Sequence, residues 1–250
     1  IMATCKDKIV LEIGPGTGIL SIIAAKSGAK KVYAIELDKK MHDIAKRNIE
    51  RSGFTNIHLF NNNIFDFAPP EKVEVVIAEL LSTCLVNEPE ISVMNYLNKY
   101  LAADAIILPN KVINIVEGAN VDRKFEDIEI VAPYFEFSGI KRARIITESK
   151  MFETIDLGKV NSSVSEKVVE LKVLAKAKFN SLRFTSIVNI YEDIVFYSTD
   201  SLMPPVIVQL NEEIDVQEGQ RVWLKLRHMY NTDWDVCKYE VHVERSFSNQ

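Results

Sequence analysis

The order of apolar and polar residues changes character near Pro109. Before it, short and mostly apolar runs alternate with longer segments whose apolar residues recur at helical spacing. Such runs are typical of strands buried on both faces of a parallel sheet, and the longer segments predict the helices that cover it. The predicted strands are 9–13, 32–35, 57–60, 73–78 and 105–108. This part of the chain is therefore predicted to be α/β.

Capping residues mark the ends of the predicted helices. Gly28 follows a short apolar helix over 19–26 and Gly53 follows a second helix. Glycine adopts the left-handed conformation of a helix end at little cost. Asp38 is suited to cap the start of the second helix. A third helix is predicted from Pro89. Its apolar stripe is formed by Met94, Leu97 and Leu101.

An alternation with a period of two replaces the helical pattern after Pro109. Val222, Leu224 and Leu226 alternate with charged or polar neighbours, which is typical of a strand with one buried face. Three further strands are predicted at 168–175, 183–190 and 239–244, and a polar loop is predicted at 161–167. The second part of the chain is therefore predicted to be mostly β.

Composition and charge narrow the classes of partner. The chain has 30 basic and 35 acidic residues and a formal charge of −5, so it has no overall attraction to nucleic acid. It contains no apolar stretch of about 18 residues, so no membrane span is expected. The cysteines are far apart and have no histidine at metal-ligand spacing; they are Cys5, Cys84 and Cys237. We therefore predict a cytoplasmic protein without disulfides or a metal site.

A glycine-rich turn follows the first predicted strand. Gly14, Gly16 and Gly18 are spaced by two residues, whereas a dinucleotide-binding fingerprint would require a glycine in place of Ile19. The missing side chains let a ligand approach the backbone, and the N–H groups at a helix start suit a carboxylate or a phosphate. The alternative is a tight turn with a purely structural role.

An acidic residue closes the second predicted strand. Glu36 lies 18 positions after Gly18, where a carboxylate can accept hydrogen bonds from both ribose hydroxyls of a nucleoside. Asn62, Asn63 and Ile64 follow the next strand and are candidates for contact with an adenine edge, although a polar loop without contacts is the alternative. The turn and Glu36 together predict a nucleoside site at one edge of the sheet.

These residues resemble the class I methyltransferases, whose cofactor is S-adenosylmethionine. The resemblance implies a Rossmann-like methyltransferase domain over residues 1–109 that releases S-adenosylhomocysteine and needs no metal. The cofactor-binding residues that it implies are Glu12, Gly14, Gly16, Thr17, Gly18, Glu36, Leu37, Asn63, Ile64 and Glu79.

Two further glutamates narrow the resemblance. Glu79 and Glu88 bracket eight residues directly after a predicted strand, which resembles the double-glutamate loop of protein arginine methyltransferases. The stretch 100–109 and the β-rich second half also resemble that family. The resemblance implies that residues 110–250 form a mostly β, barrel-like domain on the other side of the substrate cleft. It also implies that Glu79 and Glu88 are the catalytic residues, acting on arginine in a protein or peptide.

Guanidinium chemistry explains why two carboxylates are suited to this reaction. A guanidinium stays protonated at ordinary pH, and its delocalised lone pairs make it a poor nucleophile. Two carboxylates that accept its hydrogen bonds can align one terminal nitrogen with a sulfonium methyl group and draw positive charge away from that nitrogen. The alternative for Glu79 and Glu88 is that they are solvated loop acids.

Three features depart from the arginine methyltransferase pattern. The family commonly has a Thr-His-Trp loop in its second domain, but residues 201–205 read Ser-Leu-Met-Pro-Pro, with Leu202 where the histidine is expected. The N-terminal helices that cover the cofactor in the family are not in this sequence. Glu90 lies where the family places a residue that controls the number of methyl groups added. We therefore make no prediction of how many methyl groups the product carries.

The remaining candidates concern partners. The family forms dimers through an arm early in the β domain, which predicts an arm within 131–149 and a homodimer. Lys141, Arg142 and Arg144 form a small basic patch, for which a solvated turn and a contact with RNA or peptide are the two interpretations. The four histidines form no catalytic cluster.

Two alternative functions stay open at this point. One is a methyltransferase that acts on RNA or on a small molecule, in which Glu79 and Glu88 can be replaced with little loss of turnover. The other is a binding module that keeps the cofactor fold without catalysis. The missing loop histidine and the missing N-terminal helices motivate the second alternative.

Overall fold

A five-stranded parallel sheet forms the first part of the chain, as the sequence predicts. The computed structural model describes residues 1–137, 142–200 and 203–244. The strands are β1 (Ile9–Ile13), β2 (Lys31–Glu36), β3 (Ile57–Asn61), β4 (Val73–Ala78) and β5 (Leu101–Leu108), and the helices are α1 (Ile19–Lys26), α2 (Lys39–Ser52) and α3 (Glu90–Leu97). Their order in the sheet is β3-β2-β1-β4-β5, and every pairing is parallel. The α/β prediction is confirmed.

The predicted helix caps are confirmed by the backbone. The Asp38 carboxylate accepts a hydrogen bond from the Met41 N–H group at 2.8 Å, and Gly53 ends α2 with a φ of 75°. The prediction that Leu101 belongs to the apolar stripe of α3 is wrong. The helix ends at Leu97, a 3₁₀ turn over Asn98–Tyr100 follows, and Leu101 begins β5, where it pairs with Val73.

The second part of the chain consists of antiparallel sheets. Its strands are β6 (Lys111–Asn120), β7 (Lys124–Phe125), β8 (Ile128–Glu129), β9 (Tyr134–Phe135), β10 (Arg144–Ile145), β11 (Lys150–Asp156), β12 (Val164–Lys172), β13 (Ala177–Tyr191), β14 (Ile194–Tyr197), β15 (Val206–Val216), β16 (Arg221–Met229) and β17 (Lys238–Val243). One sheet has the order β10-β6-β13-β15-β9, with β11 paired to β6 and β14 paired to β13. A smaller sheet has the order β12-β16-β17, and β7 pairs with β8.

The alternation of residues in β16 gives the buried face that the sequence predicts. Val222, Leu224 and Leu226 are buried, while Arg221 and Lys225 are exposed. The predicted loop at 161–167 is partly wrong, because β12 already begins at Val164 and pairs with β16 along its whole length. The polar residues of this strand occupy its solvent face, which the composition alone could not distinguish from a loop.

Two of the apolar cores involve the β part of the chain. The larger β sheet packs against the smaller one around Phe179, Phe184 and Leu224, all of which are buried. A second core joins α3 and the parallel sheet to residues of the β part, among them Val112 and Val188. The two parts of the chain therefore share a continuous apolar interior.

The interior of the β part contains a buried histidine. The ring of His228 lies 5.2–5.7 Å from those of Phe184, Phe152, Trp234 and Tyr239, centre to centre. Neither of its ring nitrogens has a hydrogen-bond partner in the described part of the chain, and burial lowers its pKa to about 4. His228 is thus an uncharged member of an aromatic cluster.

Among the described residues, none of the helices has both the length and the apolar character needed to cross a membrane.

Candidate active site

The candidate site lies where three parallel strands end at one edge of the sheet. Ile13 of β1 pairs with Ile35 of β2 and with Ala78 of β4. The next residue along each strand is therefore Gly14, Glu36 or Glu79, and the register brings these three to the same edge. In sheets of this order the crevice at the carboxyl ends of the central strands is the usual ligand site.

The glycine turn takes backbone conformations that side chains disfavour. Gly14, Gly16 and Gly18 have φ values of 65°, 55° and 82°, in the left-handed region. A Cβ atom on Gly14 would lie 3.3 Å from Leu80 Cδ2, and one on Gly18 would lie 3.5 Å from the backbone of Ala45. The turn thus packs against Leu80 on one side and against α2 on the other.

The Glu36 carboxylate fixes this turn and keeps capacity for a ligand. Its Oε2 accepts a hydrogen bond from the Gly16 N–H group at 3.1 Å, and its Oε1 accepts one from the Asp38 N–H group at 2.9 Å. Asn61 Nδ2 donates to the Glu36 carbonyl at 2.9 Å and holds the end of β2. A carboxylate offers about four lone-pair sites, so each oxygen can accept one more hydrogen bond.

A cavity of about 210 Å³ opens beside this carboxylate. It is lined by Ile13, Gly14, Ile35, Glu36, Leu37, Asn62, Asn63, Ile64, Phe65, Leu80, Pro89 and Val93. Five of the predicted cofactor residues are in this lining, namely Gly14, Glu36, Leu37, Asn63 and Ile64. The Asn63 side chain already accepts a hydrogen bond from the Phe65 N–H group at 3.0 Å. Its amide nitrogen is the part that can still reach a ligand.

The other five predicted cofactor residues do not line the cavity. Glu12 is buried and accepts a hydrogen bond from Ser21 of α1, and burial raises its pKa to about 7. Gly16, Thr17 and Gly18 shape the turn behind the cavity, and Glu79 lies beyond Leu80. Direct cofactor contact by these five residues stays a prediction.

The two loop glutamates are exposed beside the cavity. Neither carboxylate of Glu79 and Glu88 has a hydrogen bond or a salt bridge within the described part of the chain. Partial burial and the negative charge of Glu88 raise the pKa of Glu79. The residues that follow them, Leu80 and Pro89, line the cavity. Two unpartnered carboxylates therefore flank the mouth of the candidate cofactor site.

Hydrogen bonds from the β part hold the loop between these glutamates. Thr83 Oγ1 donates to the Pro204 carbonyl at 2.7 Å, and Cys84 N–H donates to Ser186 Oγ at 2.9 Å. Thr232 N–H donates to the Val86 carbonyl at 2.9 Å. Cys84 and its neighbour Leu85 have φ values of 55° and 56°, which non-glycine residues rarely adopt. The loop is thus a strained segment held by distant parts of the chain.

A third glutamate lies behind the loop. Glu90 opens α3 with no exposed surface, and its Oε2 accepts a hydrogen bond from the Leu80 N–H group at 3.0 Å. Its other oxygen, Oε1, has no hydrogen-bond partner in the described residues. Burial, together with the charges of Glu79 and Glu88, raises the pKa of Glu90 to about 8.

A groove leads away from Glu88 across the β part. Its nearer section, about 200 Å³, is lined by Leu81, Ser82, Thr83, Asn87, Glu88, Phe135, Phe137, Met203 and Pro204. Asn87 and Phe135 also line a second section of about 230 Å³ that contains Asp233 and Asp235. The surface next to the two glutamates therefore combines aromatic and acidic residues.

Several functional candidates escaped the sequence prediction. Ser186, Thr232 and Pro204 position the double-glutamate loop from sequence positions more than 100 residues away, and no local signal marks them. Phe65 and Val93 line the cofactor cavity, and the only available signal was their place after a strand or in a helix. Ser201 and Leu202 of the predicted substitute loop and Lys141 of the basic patch lie outside the described residues.

Comparisons with known sequences match this chain to methyltransferases. The family model of ribosomal protein L11 methyltransferase (PrmA) matches residues 2–131. The uncharacterized protein MJ1452 of Methanocaldococcus jannaschii is 34% identical over 214 residues, which cover 84% of this chain and 78% of that protein. The probable protein arginine N-methyltransferase 1.2 of Arabidopsis thaliana is 34% identical over 191 residues, which cover 68% of this chain and 52% of the plant protein. The chain thus spans about half the length of that plant relative.

A solved structure shows the same fold. The PRMT1 enzyme–prozyme heterotetrameric complex of Trypanosoma brucei, solved with AdoHcy, matches with a TM-score of 0.77 and 19% identity. The match covers 97% of this chain and 90% of the trypanosomal one, so the parallel sheet and the β part are both included.

Proposed function

This chain belongs to the protein arginine methyltransferase family, and we propose that it transfers a methyl group from S-adenosylmethionine to arginine side chains in proteins. One observation carries the proposal. Glu79 and Glu88 are exposed, and their carboxylates have no hydrogen bond or ion pair with any residue that the structure describes. Each directly precedes a residue, Leu80 or Pro89, that lines the cavity beside Glu36.

The residues of the cavity fit the cofactor. Glu36 has free acceptor capacity for two ribose hydroxyls, and Ile64, Phe65 and Leu37 give an apolar surface suited to an adenine ring. The N–H groups of the turn before α1 are suited to the carboxylate of the methionine part. When bound, S-adenosylmethionine supplies an electrophilic methyl group on a positively charged sulfur.

The two loop glutamates would then act on the acceptor. Their carboxylates bind the guanidinium through charge-assisted hydrogen bonds and fix the direction of its terminal nitrogen. Orientation and the negative field of the pair supply most of the rate in this scheme. The nitrogen that gains the methyl group must lose one proton. Glu79, whose pKa is raised by partial burial and the charge of Glu88, can accept it.

Transfer of labelled methyl groups tests the proposal. The full-length enzyme is incubated with labelled S-adenosylmethionine and proteins of the source cell, and the products are hydrolysed for amino-acid analysis. Label in methylarginine that Glu88→Gln abolishes, while S-adenosylhomocysteine still binds, is the expected result. Glu50→Gln, which removes an exposed charge from α2, is the matched control and should leave the label unchanged. Cofactor binding with no labelled arginine would contradict the proposal and favour an RNA or small-molecule acceptor.

We also infer a homodimer formed through the arm region. Val131, Phe135, Phe137 and Ile145 are between 37% and 53% exposed, which is unusual for so many large apolar residues in one region. Light scattering across a dilution series should give twice the monomer mass, and Val131→Asp should reduce it to the monomer mass. The division into domains 1–109 and 110–250, closure of the β sheets into a barrel and the cytoplasmic location stay predictions.

A further inference from the structure

The buried carboxyl group of Glu90 has no place in the mechanism above. It lies at the start of α3 behind the two loop glutamates, fully shielded from solvent. One of its oxygens accepts a hydrogen bond from Leu80 N–H, and the other has no partner in the described residues. A buried carboxyl that only half satisfies its hydrogen bonds is costly, so a role at the site would explain its presence.

Leu80 connects this carboxyl to both halves of the site. Its backbone directly follows Glu79, so the hydrogen bond to Glu90 fixes the peptide that carries the first loop glutamate. Its side chain lines the cofactor cavity, and its Cδ2 lies 3.3 Å from the position of a Cβ atom on Gly14. A shift of the Leu80 backbone would therefore move Glu79 relative to the cofactor.

We propose that Glu90 is a positioning residue, whose carboxyl accepts the hydrogen bond of Leu80 N–H and thereby sets the position of Glu79 relative to the bound cofactor. This inference rests on the proposed function and adds a third carboxyl to its substrate site. It assigns Glu90 no contact with the substrate.

The groups around Glu90 determine how its hydrogen bond with Leu80 N–H depends on pH. The charged groups that act on it are Glu79, after β4, and Glu88, in the loop, and both are acidic. The buried side chains of α3 around it are apolar, among them Ile91 and Met94. No cation acts on it in the described residues, so its ionisation places a buried negative charge close to two others. Their repulsion would displace the loop as Glu90 loses its proton, at a pKa of about 8.

The pH profile of methyl transfer tests this inference. The value of kcat/KM reports the free enzyme, so in the wild type we expect it to fall above about pH 8. Glu90→Gln keeps an acceptor for Leu80 N–H and cannot ionise, so its profile should lack that fall. Glu90→Leu removes the acceptor and should lower kcat by roughly 10- to 100-fold, with S-adenosylhomocysteine affinity unchanged within about threefold. Glu50→Gln, which removes an exposed carboxylate on α2, is the control and should follow the wild-type profile.

Two outcomes would overturn the inference. One is a wild-type fall in kcat/KM that persists unchanged in Glu90→Gln. The other is a Glu90→Leu variant that is folded and keeps full kcat. An absence of any methylated arginine with the wild type would instead defeat the proposed function. In that case the inference can still be tested through Glu79, by comparing the titration of its carboxyl carbon by NMR in the wild type and in Glu90→Gln. Identical titration curves would refute a coupling between the two residues.

Discussion

The two sides of the methyl-transfer cleft are built in different ways. The lining of the cofactor cavity falls within residues 13–93, and most of it comes from the turn after β1, the end of β2 and the segment after β3. The double-glutamate loop is held instead by Ser186, Pro204 and Thr232, at sequence separations of 102 to 146 residues. One side is a local structure and the other depends on the complete fold.

The two sides also differ in backbone strain and in the burial of an ionisable group. The cofactor side uses glycine wherever the backbone needs a positive φ, so its turn is relaxed. The substrate side has Cys84 and Leu85 in that conformation and buries the carboxyl of Glu90, whose pKa is raised to about 8. Such strain costs on the order of 1–3 kcal/mol for each backbone outlier and persists only where surrounding contacts enforce it.

Removal of the Glu36 carboxylate should have the largest effect, and it should be confined to the cofactor side. In the proposed cofactor site, Glu36→Ala removes the acceptor of two charge-assisted hydrogen bonds from the ribose, so we expect the affinity for S-adenosylhomocysteine to fall roughly thousandfold. Glu36→Gln, which keeps the shape and one acceptor, should lose about tenfold. Calorimetric titration measures both. An Ala variant that binds as tightly as the wild type would show that the cavity beside Glu36 is not the cofactor site.

The stability of the protein should depend on the charge state of Glu90. Its pKa is raised from 4.5 to about 8 in the fold, so the stability linked to it is fully present below pH 4.5 and is lost as the pH rises towards 8. Glu90→Gln should therefore gain stability relative to the wild type across this range, by roughly 4 kcal/mol at its upper end. Urea unfolding at several pH values measures the difference. A difference that is constant with pH would mean that Glu90 is already ionised in the fold.

A buried serine on β13 tests the dependence of the loop on the β part. Ser186 Oγ accepts a hydrogen bond from Cys84 N–H and donates one to Asn114 Oδ1. Ser186→Ala leaves both groups unpaired and should cost about 2 kcal/mol of stability. It should also lower kcat about tenfold while cofactor affinity stays unchanged. Ser181→Ala is the matched control, since Ser181 is buried on the same strand and does not contact the loop. Equal kcat in the two variants would contradict the prediction.

The smallest effect is expected where α3 meets the β part. Asn95 and Asn161 exchange two hydrogen bonds, of 2.7 and 2.8 Å, between the helix and the segment before β12. Asn95→Ala should destabilise the protein by about 1 kcal/mol, because water can replace part of this partly buried pair. Asn98→Ala removes only a long contact of 3.4 Å to Gly158 and should cost less. A loss of stability that is larger for Asn98→Ala than for Asn95→Ala would contradict the prediction.

The sequence predicts best the parts of the structure that rest on local contacts. The strand–turn–helix around Gly14, the cap of Asp38 and the end of α2 at Gly53 each rest on contacts within a few residues, and all appear as predicted. Glu79 and Glu88 were identified through a resemblance, and the register of β1 with β4 explains why Glu79 reaches the cofactor edge. Their catalytic role stays a prediction.

The sequence could not reveal the features that depend on distant contacts. Nothing near Cys84 indicates that Ser186 will accept its hydrogen bond, and a serine in a strand pattern carries no functional signal. The burial of Glu90 results from the packing of α3 against the loop, whereas an acidic residue at a helix start is ordinarily exposed. The mistaken loop at 161–167 has the same origin, because only the pairing with β16 makes its polar residues a strand.

The long-range hydrogen bonds of the loop have a consequence for synthesis of the protein. During synthesis Gly14, Glu36 and Glu79 emerge from the ribosome early. Ser186 and Thr232, which hold the loop, emerge more than 100 residues later than the loop itself. Until then the two loop glutamates lack the hydrogen bonds that fix their arrangement. A prematurely terminated chain would thus lack an ordered acceptor site, even where every strand of the parallel sheet has been made.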